Sequence, residues 1–437
     1  MSSPVSAPSE NMSQVTVAYV IRSFPRLSQT FILTEILALE AQGAEIRILA
    51  LLNPNEPLVQ PNFQDLRAPV TYLESALPQS SWRRTLLHLS LLMRTPVRYF
   101  SALRCVLREG KEHESGYSNY SAFRCLSLAV MAASLLRKQN EPETSIDHLH
   151  AHFAHDPTFI ASLVHLLTGI SYSFTAHARD LYQIGQKSLI RRSAGATHVI
   201  TCCGANREFL VSALPELMHP RVRLIYHGVD SRYFRPPKSR VKNGTGPTVI
   251  TVGRLVAKKG LADLIRACGM VGRERDFKCL IFGDGPQRAE LQTLIETEGL
   301  RGRVRLMGSL TQRELVAAYQ GADVFALTPF VTEDGDRDGI PNVLMEAMAC
   351  GLPVLTTDAG GISELVTHGN NGLLLRPRDI HGLATSLQAL LEDRELRDRL
   401  GAAARETVMT RFDAESCIAE LGSIFRTIGE TACPQPA

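Results

Sequence analysis

Short apolar runs separated by segments of helical periodicity occur in both halves of this chain, and they limit its possible folds more than any other feature. In the first half, the apolar residues 15–21 are followed by helical spacing over 29–42 and by a second apolar run at 46–51. The same alternation begins again at residues 248–252. Strands that alternate with helices favour βαβ units and parallel sheets. The sequence therefore predicts an α/β fold with two Rossmann-like, doubly wound parallel-sheet domains.

The chain is long enough for two separate hydrophobic cores, because its 437 residues exceed the size at which single cores usually split into domains. We predict an N-terminal domain at residues 14–237 and a C-terminal domain at 248–405, followed by a C-terminal helix at 406–430. Residues 238–247 are rich in lysine, glycine and proline and are the predicted linker.

Composition argues against several classes of protein. The net charge of +3 is too small to indicate nucleic acid as the main partner. The nine cysteines show no C-x-x-C spacing, which predicts neither a disulfide framework nor a zinc site and fits a reducing cytoplasm. No charged-then-apolar leader opens the chain, and the longest apolar stretch, near residues 126–136, is shorter than the roughly 20 residues of a membrane span. We expect a cytoplasmic protein that is not integral to a membrane.

The segment 334–351, DGDRDGIPNVLMEAMACG, is the predicted centre of the chemistry. It has the pattern of a loop that leads into a helix, with Asn342 as the predicted cap and Gly351 as the predicted end. Backbone N–H groups at such a helix start suit a phosphate or a sugar hydroxyl. Two carboxylates, Asp338 and Glu346, flank the turn and can hold separate parts of one extended ligand.

Two other interpretations of this segment remain open. Asp334, Asp336, Asp338 and Gly339 match the first half of a calcium-binding loop, but its twelfth position, which needs an acid, is Met345. The segment is also compatible with an acidic turn ahead of a core helix.

A second candidate loop, residues 253–260, follows a predicted strand and carries Arg254 and Lys259. Fixed positive charge of this kind stabilises a departing diphosphate. The alternative is that both are surface cations flanking a helix.

Histidines cluster in the first half, at residues 146–156 and at His177. We expect residues 146–153 to form a buried strand whose alternating residues point to opposite faces, so that one metal ion cannot collect its histidines, and we predict no metal site. His177 follows another predicted strand and can donate a hydrogen bond to a sugar hydroxyl from either ring nitrogen, with Asp180 orienting it. The alternative is that His177 only caps the strand.

Residues 82–108 are the most basic part of the chain, with arginines between leucine, valine, tyrosine and phenylalanine in two predicted helices. Such a face can lie on anionic lipid at the inner side of a membrane. It can equally be a solvated face whose arginine stems cover the domain. The arginines are Arg83, Arg84, Arg94, Arg98, Arg104 and Arg108.

The run DGIPNVLMEAMACGLPVLTTDAGGISELV resembles the signature of the family-four retaining glycosyltransferases, enzymes of the GT-B fold with two Rossmann-like domains facing a central cleft. The resemblance implies that Glu346 holds the ribose of the nucleotide and that Asp338 contacts the transferred sugar. The family usually has Glu where this chain has Asp338, whose side chain is one methylene shorter. The resemblance therefore leaves open which sugar is transferred and where that sugar lies in the site.

Other segments resemble the same family. Residues 253–260 are similar to its GRLxxxKG motif, which implies that Arg254 and Lys259 hold the donor phosphates, and His177 is implied to face the donor sugar. The opening FPRLSQTF at 24–31 is similar to exopolysaccharide-type members, and His227 replaces the family's usual Asn. The implied donor-binding set is Arg254, Lys259, Gly308, Ser309, Gly339, Ile340, Pro341, Asn342, Val343 and Glu346.

The resemblance implies a retaining, metal-independent hexosyltransferase that uses a UDP- or GDP-sugar as substrate and requires no cofactor. The acceptor is expected to be a glycan or a lipid-linked glycan in exopolysaccharide or cell-surface polysaccharide synthesis. In GT-B proteins the last helix commonly crosses back to the first domain. Three alternatives remain: a nucleotide-sugar epimerase, a phosphorylase, and a non-catalytic sugar-nucleotide-binding protein.

Overall fold

The computed structural model describes residues 15–26, 29–55, 61–114, 120–138, 145–238, 246–272 and 275–432. Residues 27–28 of the segment FPRLSQTF and residues 239–245 of the predicted linker lie outside these ranges. The described residues form two separate parallel sheets, one in each half of the chain. The prediction of an α/β fold with two parallel-sheet domains is confirmed.

The first sheet has seven strands within the described residues, in the order β3-β2-β1-β4-β5-β6-β7. All adjacent pairs are parallel. Its order changes direction between β1 and β4, which places a crevice at the carboxyl ends of those strands. The strands are β1 (Thr16–Ser23), β2 (Glu45–Leu52), β3 (Val70–Tyr72), β4 (His148–His152), β5 (Ser171–Ala176), β6 (Val199–Thr201) and β7 (Val222–Leu224).

The second sheet has six strands within the described residues, in the order β10-β9-β8-β11-β12-β13, again with parallel pairs only. Its order changes direction between β8 and β11. The strands are β8 (Thr248–Val252), β9 (Lys278–Phe282), β10 (Val304–Gly308), β11 (Val324–Leu327), β12 (Val354–Thr357) and β13 (Leu373–Leu375).

Helices cover both faces of each sheet. Those of the first half are α1 (Thr30–Ala41), α2 (Leu73–Ala76), α3 (Ser81–Arg94), α4 (Pro96–Glu114), α5 (Ala122–Lys138), α6 (Asp156–Thr168), α7 (Ala178–Gln183), α8 (Gln186–Ala194) and α9 (Gly204–Ala213). Those of the second half are α10 (Leu261–Val271), α11 (Arg288–Thr297), α12 (Gln312–Gln320), α13 (Asn342–Ala349), α14 (Ile362–Leu365), α15 (Ile380–Glu392), α16 (Arg394–Arg411) and α17 (Ala414–Ala432).

Apolar strands are buried because both faces of each sheet are covered. In β1, alternate residues face different cores: Val20 packs with the helices on one side, and Tyr19 with those on the other. The last helix, α17, belongs to the core of the first domain, where Phe425 lies 6.5 Å from Tyr19 between ring centroids. The C-terminal segment therefore lies against the N-terminal domain.

Two glycines permit a close approach between the loops of the second domain. Gly260 has a φ of +63°, and a Cβ built on it would lie 1.8 Å from the carbonyl oxygen of Thr328. Gly360 has a φ of +66°, and its Cβ would lie 2.0 Å from the carbonyl oxygen of Asp338. A side chain at either position would have no room. Residues with a side chain also rarely adopt a positive φ. The segment after Lys259 therefore packs closely on Thr328, and the backbone at Asp338 packs closely on Gly360.

Candidate active site

Three loops meet at the carboxyl ends of β8, β9 and β10. Backbone N–H of Gly253 donates to Phe282 O over 2.9 Å, and that of Gly283 donates to Gly308 O over 2.8 Å. Arg254 is exposed on this edge and makes no ion pair within the described residues. Ser309 is exposed at the same edge. The arrangement presents a free guanidinium and the turn at Gly308 to solvent.

Lys259 and Asp338, predicted from separate motifs, form an ion pair. The Lys259 Nζ lies 2.6 Å from Asp338 Oδ2, and Lys258 Nζ lies 3.3 Å from Asp338 Oδ1 and 2.9 Å from Asp336 Oδ1. Burial raises the pKa of Asp338, but the two ammonium groups lower it by more, so it falls below its ordinary value. Asp336 and Asp338 of the suggested calcium loop thus face lysines, and sequence reasoning missed the role of Lys258.

Helix α13 begins at Asn342, and Pro341 is the residue that precedes it, so the prediction that Asn342 caps the helix is wrong. Proline fits this position because it lacks the N–H that a helix start leaves unpaired. No side chain within the described residues caps this helix start. Ile340 is buried in the core, and Gly339 O accepts a hydrogen bond from Gly361 N over 3.1 Å. The first amides of α13, including that of Val343, remain available for a ligand.

Glu346 is the central acidic group of the site. Its side chain is nearly buried, and one carboxylate oxygen accepts a 2.9 Å hydrogen bond from the hydroxyl of Tyr319. The other oxygen has no hydrogen bond within the described residues. Burial raises the pKa of Glu346 to about 7, although the Tyr319 hydrogen bond acts in the opposite direction.

A cavity of about 970 Å³ lies between the two domains. Helix α1 contributes Thr30 and Phe31, the segment after β7 contributes Gly228, and α13 contributes Asn342 and Glu346. Asn342 and Glu346 are the predicted site residues in its lining, whereas Arg254, the Lys259–Asp338 pair and His177 lie outside the lining residues that the structure describes. The cavity is large enough for a small-molecule ligand.

The ring of His177 contacts other histidines. Its Nε2 lies 3.2 Å from Nδ1 of His152, and its Nδ1 lies 3.2 Å from Nε2 of His227. The Asp180 carboxylate makes no hydrogen bond to this ring within the described residues; it accepts hydrogen bonds from the backbone N–H of His177, at 3.1 Å, and of Ala154, at 2.5 Å. Asp180 therefore holds the backbone of His177 through its carboxylate, and its own backbone N–H forms a capping box with the His177 side chain. Neither ring nitrogen of His177 is free for a sugar in this arrangement.

The histidines of β4 share one face of the strand, so the expectation that they point to opposite faces is wrong. Residues two apart on a strand lie on the same side. His148 bonds to the hydroxyls of Ser171 and Ser173, and His150 to those of Ser173 and Thr175. Donor atoms in two groups lie within 4.8 Å of one another: Glu35, His150 and His152, and His177, Cys202 and His227. Both groups meet the distance requirement of a metal site, which the sequence analysis did not predict.

Glu364 joins the two domains. Its carboxylate accepts hydrogen bonds from the backbone N–H groups of Gly204, at 2.6 Å, and Ala205, at 3.1 Å, which form the start of α9 in the first domain. The hydroxyl of Tyr226 donates to the same carboxylate over 3.0 Å. An anion is stabilised at a helix N-terminus, so this contact favours the observed approach of the domains. No motif had indicated it.

Two doubly wound parallel-sheet domains with a cavity between them have the architecture of the GT-B fold. Residues 235–407 match the family model described as "Glycosyl transferases group 1". The match covers the second domain, and the chain is a glycosyltransferase.

Relatives match over most of the chain. "Putative colanic acid biosynthesis glycosyltransferase WcaL" of Salmonella typhimurium is 28% identical over 427 residues, covering 94% of this chain and 100% of that protein. "N-acetyl-alpha-D-glucosaminyl L-malate synthase" of Bacillus anthracis is 28% identical over 331 residues, covering 72% and 83%. The crystal structure of Anabaena Alr3699/HepE in complex with UDP and glucose has a TM-score of 0.69 at 17% identity, covering 94% of this chain and 100% of that one. The last match shows a shared fold.

Proposed function

We propose that this glycosyltransferase moves a hexosyl group from a nucleotide sugar to an acceptor hydroxyl with retention of anomeric configuration. The observation that carries the proposal is the carboxylate of Glu346, which lines the cavity between the domains and has one oxygen without a partner in the described structure. A carboxylate oxygen accepts hydrogen bonds well, and a ribose offers two neighbouring hydroxyl donors. Glu346 therefore binds the ribose, with Gly308 and Ser309 toward the base.

The donor diphosphate then lies toward the second-domain loops. Arg254, Lys259 and the amides at the start of α13 supply positive potential there, as a metal ion does in other transferases. The bond between the sugar carbon and the phosphate oxygen breaks while the acceptor oxygen bonds to the same face of that carbon. The acceptor proton passes to the departing phosphate oxygen. Asp338, held by Lys259, contacts the transferred sugar.

Two of the similar proteins suggest which donors and acceptors to test. The HepE complex contains UDP and glucose, so UDP-sugars are tested as donors beside GDP-sugars. The match to WcaL over its whole length favours an acceptor in exopolysaccharide or cell-surface polysaccharide synthesis, either a glycan or a lipid-linked glycan.

A panel of UDP- and GDP-sugars tests this proposal through the slow hydrolysis that glycosyltransferases show without acceptor. We expect one nucleotide sugar to release its nucleotide, and NMR of the sugar product to show the anomeric configuration of the donor. A product of inverted configuration would contradict retention. Conversion of the donor into another nucleotide sugar would identify an epimerase, and binding without any turnover would identify a non-catalytic binding protein.

We also propose that the N-terminal domain docks on anionic lipid through α3 and α4. Apolar side chains are exposed along these helices, including Trp82 at 61%, Met93 at 82% and Phe100 at 58%. Arginines flank them, and Arg83, Arg94 and Arg104 are exposed as well. Exposed apolar groups beside cations fit the interface of an anionic bilayer. Within the described ranges, no helix has the length and apolar character needed to cross a membrane.

Vesicle flotation tests the docking surface. The wild-type protein is expected to float with vesicles containing phosphatidylglycerol and to remain at the bottom with vesicles of phosphatidylcholine alone. A variant with Trp82, Met93 and Phe100 changed to Ser should lose flotation, because each side chain contributes on the order of 1–3 kcal/mol of apolar transfer. Leu217→Ser, at an exposed apolar residue elsewhere on the domain, is the matched control. Negligible flotation of the wild type with both vesicle types would refute lipid docking.

A further inference from the structure

A chain of hydrogen bonds runs from the interior of the first domain to the interdomain cavity. Glu35 Oε1 accepts from the hydroxyl of Tyr19 over 2.8 Å and lies 3.0 Å from His152 Nε2. From His152 Nδ1 the chain continues to His177 Nε2, and from His177 Nδ1 to His227 Nε2, over 3.2 Å in each step. Four side chains are therefore connected in series, and each step uses one ring nitrogen of each histidine that takes part. They come from α1, β4, the end of β5 and the segment after β7.

The outer end of this chain lies at the cavity. The ring of His227 stacks on Phe31, with 4.4 Å between ring centroids and 27° between the planes. Phe31 lines the cavity, and so does Gly228, the neighbour of His227 in the sequence. His227 is half-buried, and its Nδ1 makes no hydrogen bond within the described residues. A polar atom without a partner is thus present beside the proposed substrate cavity.

Glu35 determines which ring nitrogen of each histidine in this chain carries the proton. Oε1 of Glu35 accepts from the Tyr19 hydroxyl and faces His152 Nε2, as a carboxylate acceptor does. An ionised carboxylate can only accept, which requires the proton of His152 to be on Nε2. Above the ordinary range of histidine pKa values each ring carries one proton, so His152 Nδ1 accepts from His177 Nε2 and His177 Nδ1 accepts from His227 Nε2. The remaining nitrogen, His227 Nδ1, then carries a lone pair.

We propose that Glu35, through His152 and His177, fixes His227 in the tautomer whose bare Nδ1 accepts a hydrogen bond from a sugar hydroxyl in the cavity. This proposal rests on the proposed function for the identity of the ligand. Glu35, His152 and His177 are positioning residues in it, and His227 is the group that contacts the sugar. The role is analogous to that of a buried carboxylate that holds a catalytic imidazole in one tautomer.

Neighbouring histidines show that this arrangement is specific. His148 and His150 lie on the same strand face as His152, but both of their ring nitrogens are bonded to hydroxyl groups of β5. They are therefore satisfied without joining the chain to His227. His148 offers a control position that shares the burial and the strand of His152 but not its connections.

Nitrogen-15 NMR of protein labelled at histidine tests the tautomers directly, because ring nitrogens with and without a proton have different chemical shifts. At about pH 8, above the ordinary range of histidine pKa values, we expect Nδ1 of His227 to be bare and Nε2 of His177 to be protonated. Glu35→Gln should alter the ring signals of His152, His177 and His227 together. His148→Asn should leave these three unchanged.

Kinetics of the donor identified by hydrolysis give a second readout. His227→Phe keeps the ring stacked on Phe31 but has no acceptor, and it should lower kcat/KM about tenfold or more. His227→Asn can donate to His177 and present its carbonyl oxygen instead of Nδ1, so it should retain most of the activity. If the hydroxyl belongs to the donor sugar, His227→Phe slows hydrolysis and transfer alike; if it belongs to the acceptor, only transfer is slowed.

A protonated Nδ1 on His227 in the wild type would overturn the proposal, as would unchanged ring signals in Glu35→Gln or full activity of a folded His227→Phe. If no nucleotide sugar is turned over, the proposed function fails, but the NMR measurement still decides whether the chain of histidines has the stated direction. The two failures are therefore distinguishable.

Discussion

Replacing Lys259 with alanine is expected to lower kcat/KM for sugar transfer by about 10²–10³-fold, the loss typical of removing one fixed charge that stabilises a leaving group. In the structure the ammonium of Lys259 is 2.6 Å from Asp338 and belongs to the loop that we assign to the diphosphate. Its removal leaves Asp338 paired with Lys258, so this carboxylate keeps one of its two ion pairs. Steady-state rates of nucleotide release with the identified donor measure the effect.

The control for this variant is Lys278→Ala, which removes an exposed ammonium of β9 in the same domain. It changes the net charge equally but lies outside the loops of the site, and its activity should match that of the wild type. Near-normal turnover of a folded Lys259→Ala protein would count against the assignment of the diphosphate to this loop.

Glu346→Gln is expected to weaken donor binding and to stabilise the protein at alkaline pH. The amide keeps the shape of the carboxylate but replaces one acceptor with a donor, which should cost about tenfold or more in KM for the donor. In the wild type, donor affinity should rise with pH across about pH 7, because burial raises the pKa of Glu346 to about 7 and only the ionised form accepts both ribose hydroxyls. The variant should lack this dependence.

The stability effect has a definite sign. A carboxyl whose pKa is raised by folding, here from 4.5 to about 7, stabilises the fold fully below pH 4.5, and this contribution is lost as the pH rises to about 7. The loss through this group is on the order of 3 kcal/mol, which glutamine avoids. The free energy of unfolding, measured with denaturant at about pH 4.5 and pH 8, should decrease less between these two pH values in Glu346→Gln than in the wild type. The raised pKa of Asp180 affects both proteins alike.

An equal decrease in the free energy of unfolding of both proteins would contradict the burial of Glu346 that the structure shows. Unchanged donor KM in the variant would contradict the assignment of the ribose to this carboxylate. The two measurements are independent, because unfolding requires no substrate.

The fold was largely predictable because parallel strands buried on both faces have nearly continuous apolar sequences. The prediction at residues 15–21 corresponds to β1, Thr16–Ser23, and that at 46–51 corresponds to β2, Glu45–Leu52. Loops that bring Lys259 and Asp338 together were also suggested by their motifs, although they lie 79 residues apart. The local sequence pattern was sufficient to predict the position of a residue that lies at the end of one strand or at the start of one helix.

Contacts between distant segments were not predictable in this way. The hydrogen bonds of His177 depend on the register of β4 against β5 and on the segment that carries His227, so only the assembled sheet shows that both of its nitrogens are occupied. The same applies to Glu364, whose partners lie across the cleft in α9. Sequence periodicity carries no information about the relative position of two domains.

A crystal structure of the protein with UDP or GDP, whichever binds with higher affinity, tests the central claim most directly. We expect a ribose hydroxyl within about 2.6–3.2 Å of the Glu346 carboxylate and a phosphate oxygen within about 4 Å of the Lys259 ammonium. A nucleotide bound away from the interdomain cavity, with Glu346 contacting only Tyr319, would contradict the account.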